Sequence, residues 1–123
     1  MPRLSLVRPI SQQEAAILVR MLDHCAAIAE LRLDRESLPK LSVVARCDCG
    51  CDTVDFQPID WSKPPAVIAD GKGTTEKGDE VGIIVFGTDS SVACLEVYAH
   101  GDELARLPVV DSIHPYGGER RAV

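Results

Sequence analysis

Positive charge is scarce in this chain and is not clustered. Lys and Arg together number 13 against 19 Asp and Glu, and no stripe of basic residues occurs. Because binding to phosphate backbones depends on clustered Lys and Arg, nucleic acid is not expected as a partner. The net charge of -6 instead favours solubility or attraction to a basic partner.

Long hydrophobic runs are also absent. No apolar stretch approaches the roughly 20 residues that a membrane-spanning helix needs. Residues 1–10 carry Arg3 and Arg8 but lack the apolar core and small-residue cleavage site of a secretory signal. We therefore expect a cytoplasmic protein without a membrane partner, in which the five cysteines are reduced.

The residues that are present are typical of one ordinary globular domain. The 123 residues are 46% hydrophobic and 26% charged, close to the usual size and composition of such a domain. We expect a single domain over 1–123. The tail over 117–123 offers no core residue before its final Ala and Val, so we expect it to be frayed.

A helix is predicted after Ser11. Ser11 and Glu14 have the spacing of a capping box, in which the hydroxyl accepts the amide of Glu14 and the carboxylate accepts the amide of Ser11. Apolar residues then recur at intervals of three and four: Leu18, Met21, Leu22, Cys25, Ile28 and Ala29. This spacing predicts an amphipathic helix over 12–32, about 30 Å long.

The apolar period changes to two after this helix, which indicates strands. Residues 41–47 and 53–56 predict a first hairpin around Gly50, because glycine takes a positive φ freely. Residues 80–87 and 91–99, rich in Val and Ile, predict a second hairpin. The predicted fold class is α+β, with the N-terminal amphipathic helix packed on an antiparallel sheet of about four to five strands.

The segments between these elements are less regular. Residues 66–69 are a candidate edge strand, and 104–110 are predicted to form a last strand or a covering segment. Residues 70–79 contain three glycines and no periodic apolar residue, so we expect a long exposed loop there.

The most unusual motif is Cys47-Asp-Cys-Gly-Cys51 in the first hairpin. Thiolates bind zinc well, so Cys47, Cys49 and Cys51 are candidate ligands of a Zn²⁺ ion. A tetrahedral site needs a fourth ligand from elsewhere in the chain, and four residues are candidates: His24, Cys25, Cys94 and His100. No second paired motif supplies this ligand.

Two alternatives to a zinc site remain open for this motif. The first is a hairpin tip that uses cysteine as a small apolar residue. The second is redox chemistry, which needs a thiol with a depressed pKa. Asp48 and Asp52 flank cysteines of the motif and should raise thiol pKa values, whereas only Arg46 acts in the opposite direction.

Five residues are candidates for contact with a protein partner. Trp61 and Tyr98, with Tyr116 and Phe56, have the residue types of an aromatic patch. Asp55, Asp60 and Glu96 are candidates for an acidic face. The partner-binding set is therefore Trp61, Asp55, Asp60, Glu96 and Tyr98. The alternatives are a Trp that caps the core and a sheet face that only meets water.

No catalytic motif is apparent. Asp23-His24-Cys25 lies on the predicted helix, where adjacent residues point about 100° apart and do not face each other. The segment from Gly71 to Thr75 lacks the spacing of a phosphate-binding loop. An enzyme would need a pocket that gathers a histidine (His24, His100 or His114) with a carboxylate or thiol. We therefore predict a protein that is not an enzyme.

Several segments carry a resemblance that covers most of the chain: RPISQQEAAIL, RCDCGCDTVDF, GIIVFG and LEVYA. In this order the chain resembles small uncharacterised bacterial proteins with a C-x-C-G-C hairpin. It is more loosely similar to immunity proteins of bacterial toxin systems, including contact-dependent inhibition, in being small and acidic. That likeness implies a non-enzymatic protein that neutralises a basic toxin domain by binding it. The alternative is a small zinc-stabilised domain.

Overall fold

The computed structural model describes residues 3–101 and 103–116. In this part of the chain one α-helix, α1 (Gln12–His24), accompanies seven strands. The strands are β1 (Arg3–Pro9), β2 (Ser42–Cys47), β3 (Val54–Asp55), β4 (Ala66–Thr74), β5 (Glu80–Gly87), β6 (Val92–Ala99) and β7 (His114–Pro115). They form one antiparallel sheet in the order β1-β2-β3-β6-β5-β4-β7. Short 3-10 helices span Arg35–Lys40 and Val110–Ser112.

The start of α1 confirms the predicted capping box. The Ser11 hydroxyl accepts the Glu14 amide at 3.0 Å, and the Glu14 carboxylate accepts the Ser11 amide at 2.9 Å. Arg8 adds an ion pair to the same carboxylate at 2.7 Å. Burial by itself would raise the pKa of Glu14, but the hydrogen bonds from Arg8 and Ser11 outweigh it and lower that pKa.

The end of α1 corrects the prediction of a helix over 12–32, because the helix stops at His24. The backbone beyond it bonds to β4 instead of continuing the helical ladder. The Ala27 amide donates to the Ile68 carbonyl at 2.8 Å, and Ala26 forms a β-bridge with Ala69. Cys25 of the predicted apolar stripe is still buried in the core and Ile28 packs against it in a non-helical backbone, whereas Ala29 is exposed.

One face of α1 packs on one face of the sheet, as the amphipathic pattern predicts. The fully buried helix residues are Ile17, Leu18, Met21 and Leu22. They share the hydrophobic core with inward residues of the sheet, among them Ile68, Ile83, Val85, Leu95 and Val97. The opposite face of the sheet carries the intervening residues of β6, including the half-buried Glu96 and Tyr98.

Both predicted hairpins are present, as β2 with β3 and β5 with β6. The sheet nevertheless has seven strands in the described residues, more than the four to five predicted. The first additional strand, β1, is an edge strand that pairs with β2 and has an irregular register between Ser5 and Arg8. Its weak alternation of burial explains why no period of two is visible in the sequence.

The predicted exposed loop over 70–79 is wrong for its first half, since β4 continues to Thr74 and pairs with β5 throughout. The two glycines of this half, Gly71 and Gly73, are required by close packing. A Cβ atom on Gly71 would overlap the backbone carbonyl of His114, and one on Gly73 would lie 2.7 Å from Pro108 Cβ. Glycine here therefore permits contact with the chain that covers this edge of the sheet.

The segment over 104–110 was predicted to be either a last strand or a covering segment, and in the structure it covers the edge of the sheet. Residues 104–109 form no strand, and their Ala105 and Pro108 are buried. The two-residue β7 then pairs with β4. The predicted frayed tail over 117–123 lies outside the described residues. Within those residues no helix has the length and apolar character to cross a membrane.

Candidate metal centre

The Cys47-Asp-Cys-Gly-Cys51 motif forms the turn between β2 and β3. Gly50 has a φ of 94°, as the turn prediction requires, and its amide donates to the Cys47 carbonyl at 3.3 Å. The turn is tied to the C-terminal segment, because the Asp52 carboxylate accepts the Leu107 amide at 2.8 Å. Arg106 donates to both the Gly50 carbonyl and the Asp52 carboxylate, at 2.9 and 3.2 Å. The turn is therefore held from two sides.

The three sulfur atoms of the motif lie within 4.8 Å of one another. Cys47 is buried, Cys51 is half-buried and Cys49 is exposed. The Cys47 thiol donates to Cys49 Sγ at 3.1 Å, and the Cys51 amide donates to the same sulfur at 3.4 Å. The Cys51 thiol donates to Thr53 Oγ1 at 3.4 Å. Cys49 Sγ is thus the acceptor at the centre of the group.

This arrangement separates the pKa values of the thiols. Burial, together with the hydrogen bond to Cys49, raises the pKa of Cys47 to about 11. The hydrogen bond from Cys47 and the amide of Cys51 lower the pKa of Cys49. The sequence had suggested raised thiol pKa values because of the flanking aspartates. Local hydrogen-bond donors have the larger effect at Cys49, and Asp52 is already paired with Arg106.

The sulfur positions suit a thiophilic metal ion. A tetrahedral zinc site has Zn–S distances of about 2.3 Å and therefore S···S distances of about 3.8 Å. The separation of 3.1 Å between Cys47 and Cys49, and the 4.8 Å limit for the whole group, need only small shifts to reach that value. The three cysteines could therefore hold a metal ion.

Within the described residues the metal-compatible group contains only these three cysteines. None of the four predicted fourth ligands joins it. His24 ends α1 and Cys25 packs near Gly71, while His100 stacks edge-on with Tyr98 at 5.7 Å between ring centroids. Cys94 is fully buried near Asp55, and burial raises its pKa well above the ordinary range.

All three cysteines line one cavity of about 270 Å³ on the outer face of the sheet. Its other walls include Arg3, Trp61, Glu96, Tyr98, Glu103 and Leu104. Burial raises the pKa of Glu96, and the nearby Arg3 only partly offsets this effect. A mostly apolar cavity with a few convergent polar groups is typical of a small-molecule site.

A buried ion pair lies at the wall of this cavity. Arg3 Nε donates to Asp55 Oδ2 at 3.0 Å, and the two side chains are only 16% and 4% exposed. The guanidinium also lies over the Trp61 ring, 5.5 Å from its centroid, and Phe86 meets that ring edge-on at 5.4 Å. Sequence reasoning missed Arg3 as a site residue, because its role depends on the unpredicted β1.

The five predicted partner-binding residues lie on or near this face of the sheet but in different settings. Trp61, Glu96 and Tyr98 line the cavity together. Asp55 is only 3% exposed, so it is covered in this structure instead of presented to a partner. Asp60 is exposed, and its carboxylate accepts the amide and hydroxyl of Ser62, which lowers its pKa.

The predicted aromatic patch is only partly assembled. The hydroxyls of Tyr98 and Tyr116 hydrogen-bond at 2.6 Å. Phe56 instead belongs to the buried core.

A larger cavity, of about 530 Å³, lies between the 75–79 turn and the C-terminal segment. Neither of these two cavities is lined by a histidine, so neither gathers the constellation that an enzyme was expected to need.

Comparisons of the chain with protein-family models, with curated proteins and with solved structures give no match. The resemblance to small bacterial C-x-C-G-C proteins and to immunity proteins therefore stays a prediction. The function has to be inferred from the geometry of the site.

Proposed function

We propose that this protein binds a thiophilic metal ion, with Zn²⁺ as the first choice, through Cys47, Cys49 and Cys51. The observation that carries the proposal is the meeting of three sulfur atoms within 4.8 Å at a braced turn. Soft thiolate ligands favour Zn²⁺ and Cu⁺ over hard cations such as Mg²⁺ and Ca²⁺. Three thiolates in a row of five residues therefore define the chemical class of the ion.

The thiols are arranged for stepwise capture of the ion. Cys49 has the lowered pKa and is exposed, so it would be the first of the three cysteines to bind the ion. Cys47 is buried and holds its proton in the absence of metal. Because a bound cation would stabilise a thiolate strongly, Cys47 would lose that proton to the solvent when it binds the ion.

The packing of the cysteines supports a metal site over a tip of small apolar residues. Cys25 and Cys94 are fully buried and show how the chain uses cysteine as an apolar residue. Cys49 is exposed, and its sulfur accepts two hydrogen bonds without filling any core space. Apolar packing does not account for a cysteine in that position.

Metal content and competition titration test the proposal. Protein purified without chelator should contain about one equivalent of zinc, and a structural ion should raise the melting temperature by several degrees or more. The variants Cys47→Ser, Cys49→Ser and Cys51→Ser should each lose most of the affinity. Cys94→Ala is the matched control and should keep it. Zinc below roughly a tenth of an equivalent, together with no uptake of added Zn²⁺ or Cu⁺, would overturn the proposal.

Binding of a basic protein partner is a second candidate function, and it retains the predicted immunity role against a toxin domain. The net charge of -6 supports it, as does the gathering of Trp61, Glu96 and Tyr98 at one cavity. Association with the product of a neighbouring gene should be salt-sensitive. It should weaken in Trp61→Ala but not in Val7→Ala, which alters an exposed side chain on β1. Equal binding by both variants would count against this surface.

A further inference from the structure

We propose that the bound ion keeps one coordination position open to the 270 Å³ cavity, and that a small neutral aromatic nitrogen base of the imidazole class occupies it. This inference rests on the proposed metal binding and names the ligand of that same site. It treats the centre as a ligand-binding site, whereas a purely structural zinc site is closed by four protein ligands.

The open position follows from the donor count and from the cavity. Among the described residues, no fourth Cys, His, Asp or Glu joins the three sulfur donors within 4.8 Å. Each of those three cysteines also lines the cavity. An ion held by the sulfurs therefore lies at the cavity wall, and its remaining coordination position is reached from inside the cavity.

Charge selects a neutral donor for that position. A divalent ion held by three thiolates already carries one surplus negative charge. Glu96 and Glu103 add two carboxylates to the cavity wall, whereas Arg3, the one cation among the described lining residues, is paired with Asp55. An anionic fourth ligand such as a carboxylate would be repelled by this arrangement, whereas a neutral nitrogen base would not.

The residues that line the cavity favour a planar aromatic ring that has a second polar atom besides the nitrogen bound to the metal. Trp61 and Tyr98 offer aromatic surface, and the cavity is large enough for one small ring. A metal-bound imidazole usually donates its other ring N–H to a carboxylate, which orients the ring. Glu96 is half-buried and its carboxylate forms no hydrogen bond within the described residues, so it is the group that we assign to accept that N–H.

The test uses the full chain loaded with Co²⁺, whose visible spectrum reports the ligands of a tetrahedral zinc-type site. Imidazole is titrated into the Co²⁺ protein, with acetate as the anionic comparison. We expect imidazole to shift the ligand-field bands in a saturable way and acetate to leave them unchanged. Co²⁺ uptake without any effect of imidazole would overturn this inference and leave the metal site standing. A lack of uptake of Co²⁺, Zn²⁺ and Cu⁺ would overturn both.

Two substitutions separate cavity binding from ligation of the metal. Trp61→Ala and Glu96→Gln should each weaken imidazole binding roughly tenfold while Co²⁺ affinity stays within about twofold. His100→Ala tests whether the chain itself supplies the fourth ligand of the ion. If His100→Ala changes the Co²⁺ spectrum before any imidazole is added, the fourth ligand is internal and the inference is wrong. If Trp61→Ala and Glu96→Gln leave imidazole affinity unchanged, the ring does not bind in this cavity.

Discussion

Arg3 Nε in β1 donates to Asp55 Oδ2 in β3 across 3.0 Å, and this bond joins residues that are 52 positions apart in the chain. The pair crosses the intervening strand β2 on the outer face of the sheet. Because the same guanidinium lies over Trp61, the pair fixes one wall of the candidate metal cavity. Stability and the shape of the cavity are therefore linked through Arg3.

We expect Asp55→Ala to destabilise the protein by about 3 kcal/mol, because breaking a buried pair leaves an uncompensated charge. The exposed pair of Arg32 and Asp89 is the matched control, and Asp89→Ala should cost less than about 1 kcal/mol. Urea unfolding of both variants measures the difference. Equal losses would show that the Arg3–Asp55 pair is no more important than a surface contact.

Cys49 should be the first cysteine to react with iodoacetamide in metal-free protein. Its pKa is lowered and its side chain is exposed, whereas Cys47 is buried with a pKa raised to about 11. Since the thiolate is the reactive form, the ratio of the two rates should be largest at a pH below both pKa values and should fall as the pH approaches about 11. Peptide mapping after brief alkylation gives the order. Modification of Cys47 before Cys49 would contradict the proposed hydrogen-bond arrangement.

Metal affinity should rise with pH and should still be rising near pH 8. Binding needs the thiolate forms, and Cys47 keeps its proton up to a pKa of about 11 in the absence of metal. Each proton displaced adds up to about a tenfold gain in affinity per pH unit. Calorimetry in buffers of different ionisation enthalpy counts the protons released. Affinity that does not change between about pH 7 and 9 would show that Cys47 is not a ligand.

Gly50→Ala should lower metal affinity because it strains the turn that gathers the sulfurs. Gly50 has a φ of 94° and lies between Cys49 and Cys51. Gly78 has a φ of 90° in a turn outside the cysteine motif, with open space around its Cβ position, so Gly78→Ala is the matched control. Both variants should lose about 1 kcal/mol of stability from backbone strain. Only Gly50→Ala should bind Zn²⁺ more weakly. Equal Zn²⁺ affinities of the two variants would show that the conformation of the Gly50 turn does not contribute to metal binding.

Ser11→Ala should destabilise the protein by about 1 kcal/mol, because it leaves the Glu14 amide at the start of α1 without its hydroxyl acceptor. Ser62→Ala removes a hydroxyl from an exposed loop and should change stability little. Thermal or urea unfolding compares the two variants. An equal effect would show that the capping box contributes little to the stability of α1.

The candidate site could be predicted only in part. The three cysteines were identified from their spacing, and the structure does bring their sulfurs together. Their fourth partner was expected among distant residues, none of which joins them. Arg3 and the cavity could not be foreseen, because they depend on β1 pairing with β2 and on Trp61 covering the sheet. Such contacts join distant positions and leave no period in the sequence.

Local hydrogen bonding and side-chain alternation determined the start of α1, the turn at Gly50 and the β5–β6 hairpin, since each depends on residues close together in the chain. Tertiary contacts decided where α1 ends, since the Cys25 carbonyl and the Ala27 amide bond to the backbone of β4 instead of to the next turn of a helix. They also decided that Gly71 and Gly73 belong to a strand and not to a loop, because His114 packs on the first glycine and Pro108 on the second. A backbone group takes the partner that the whole fold brings within reach, and local propensity cannot reveal that partner.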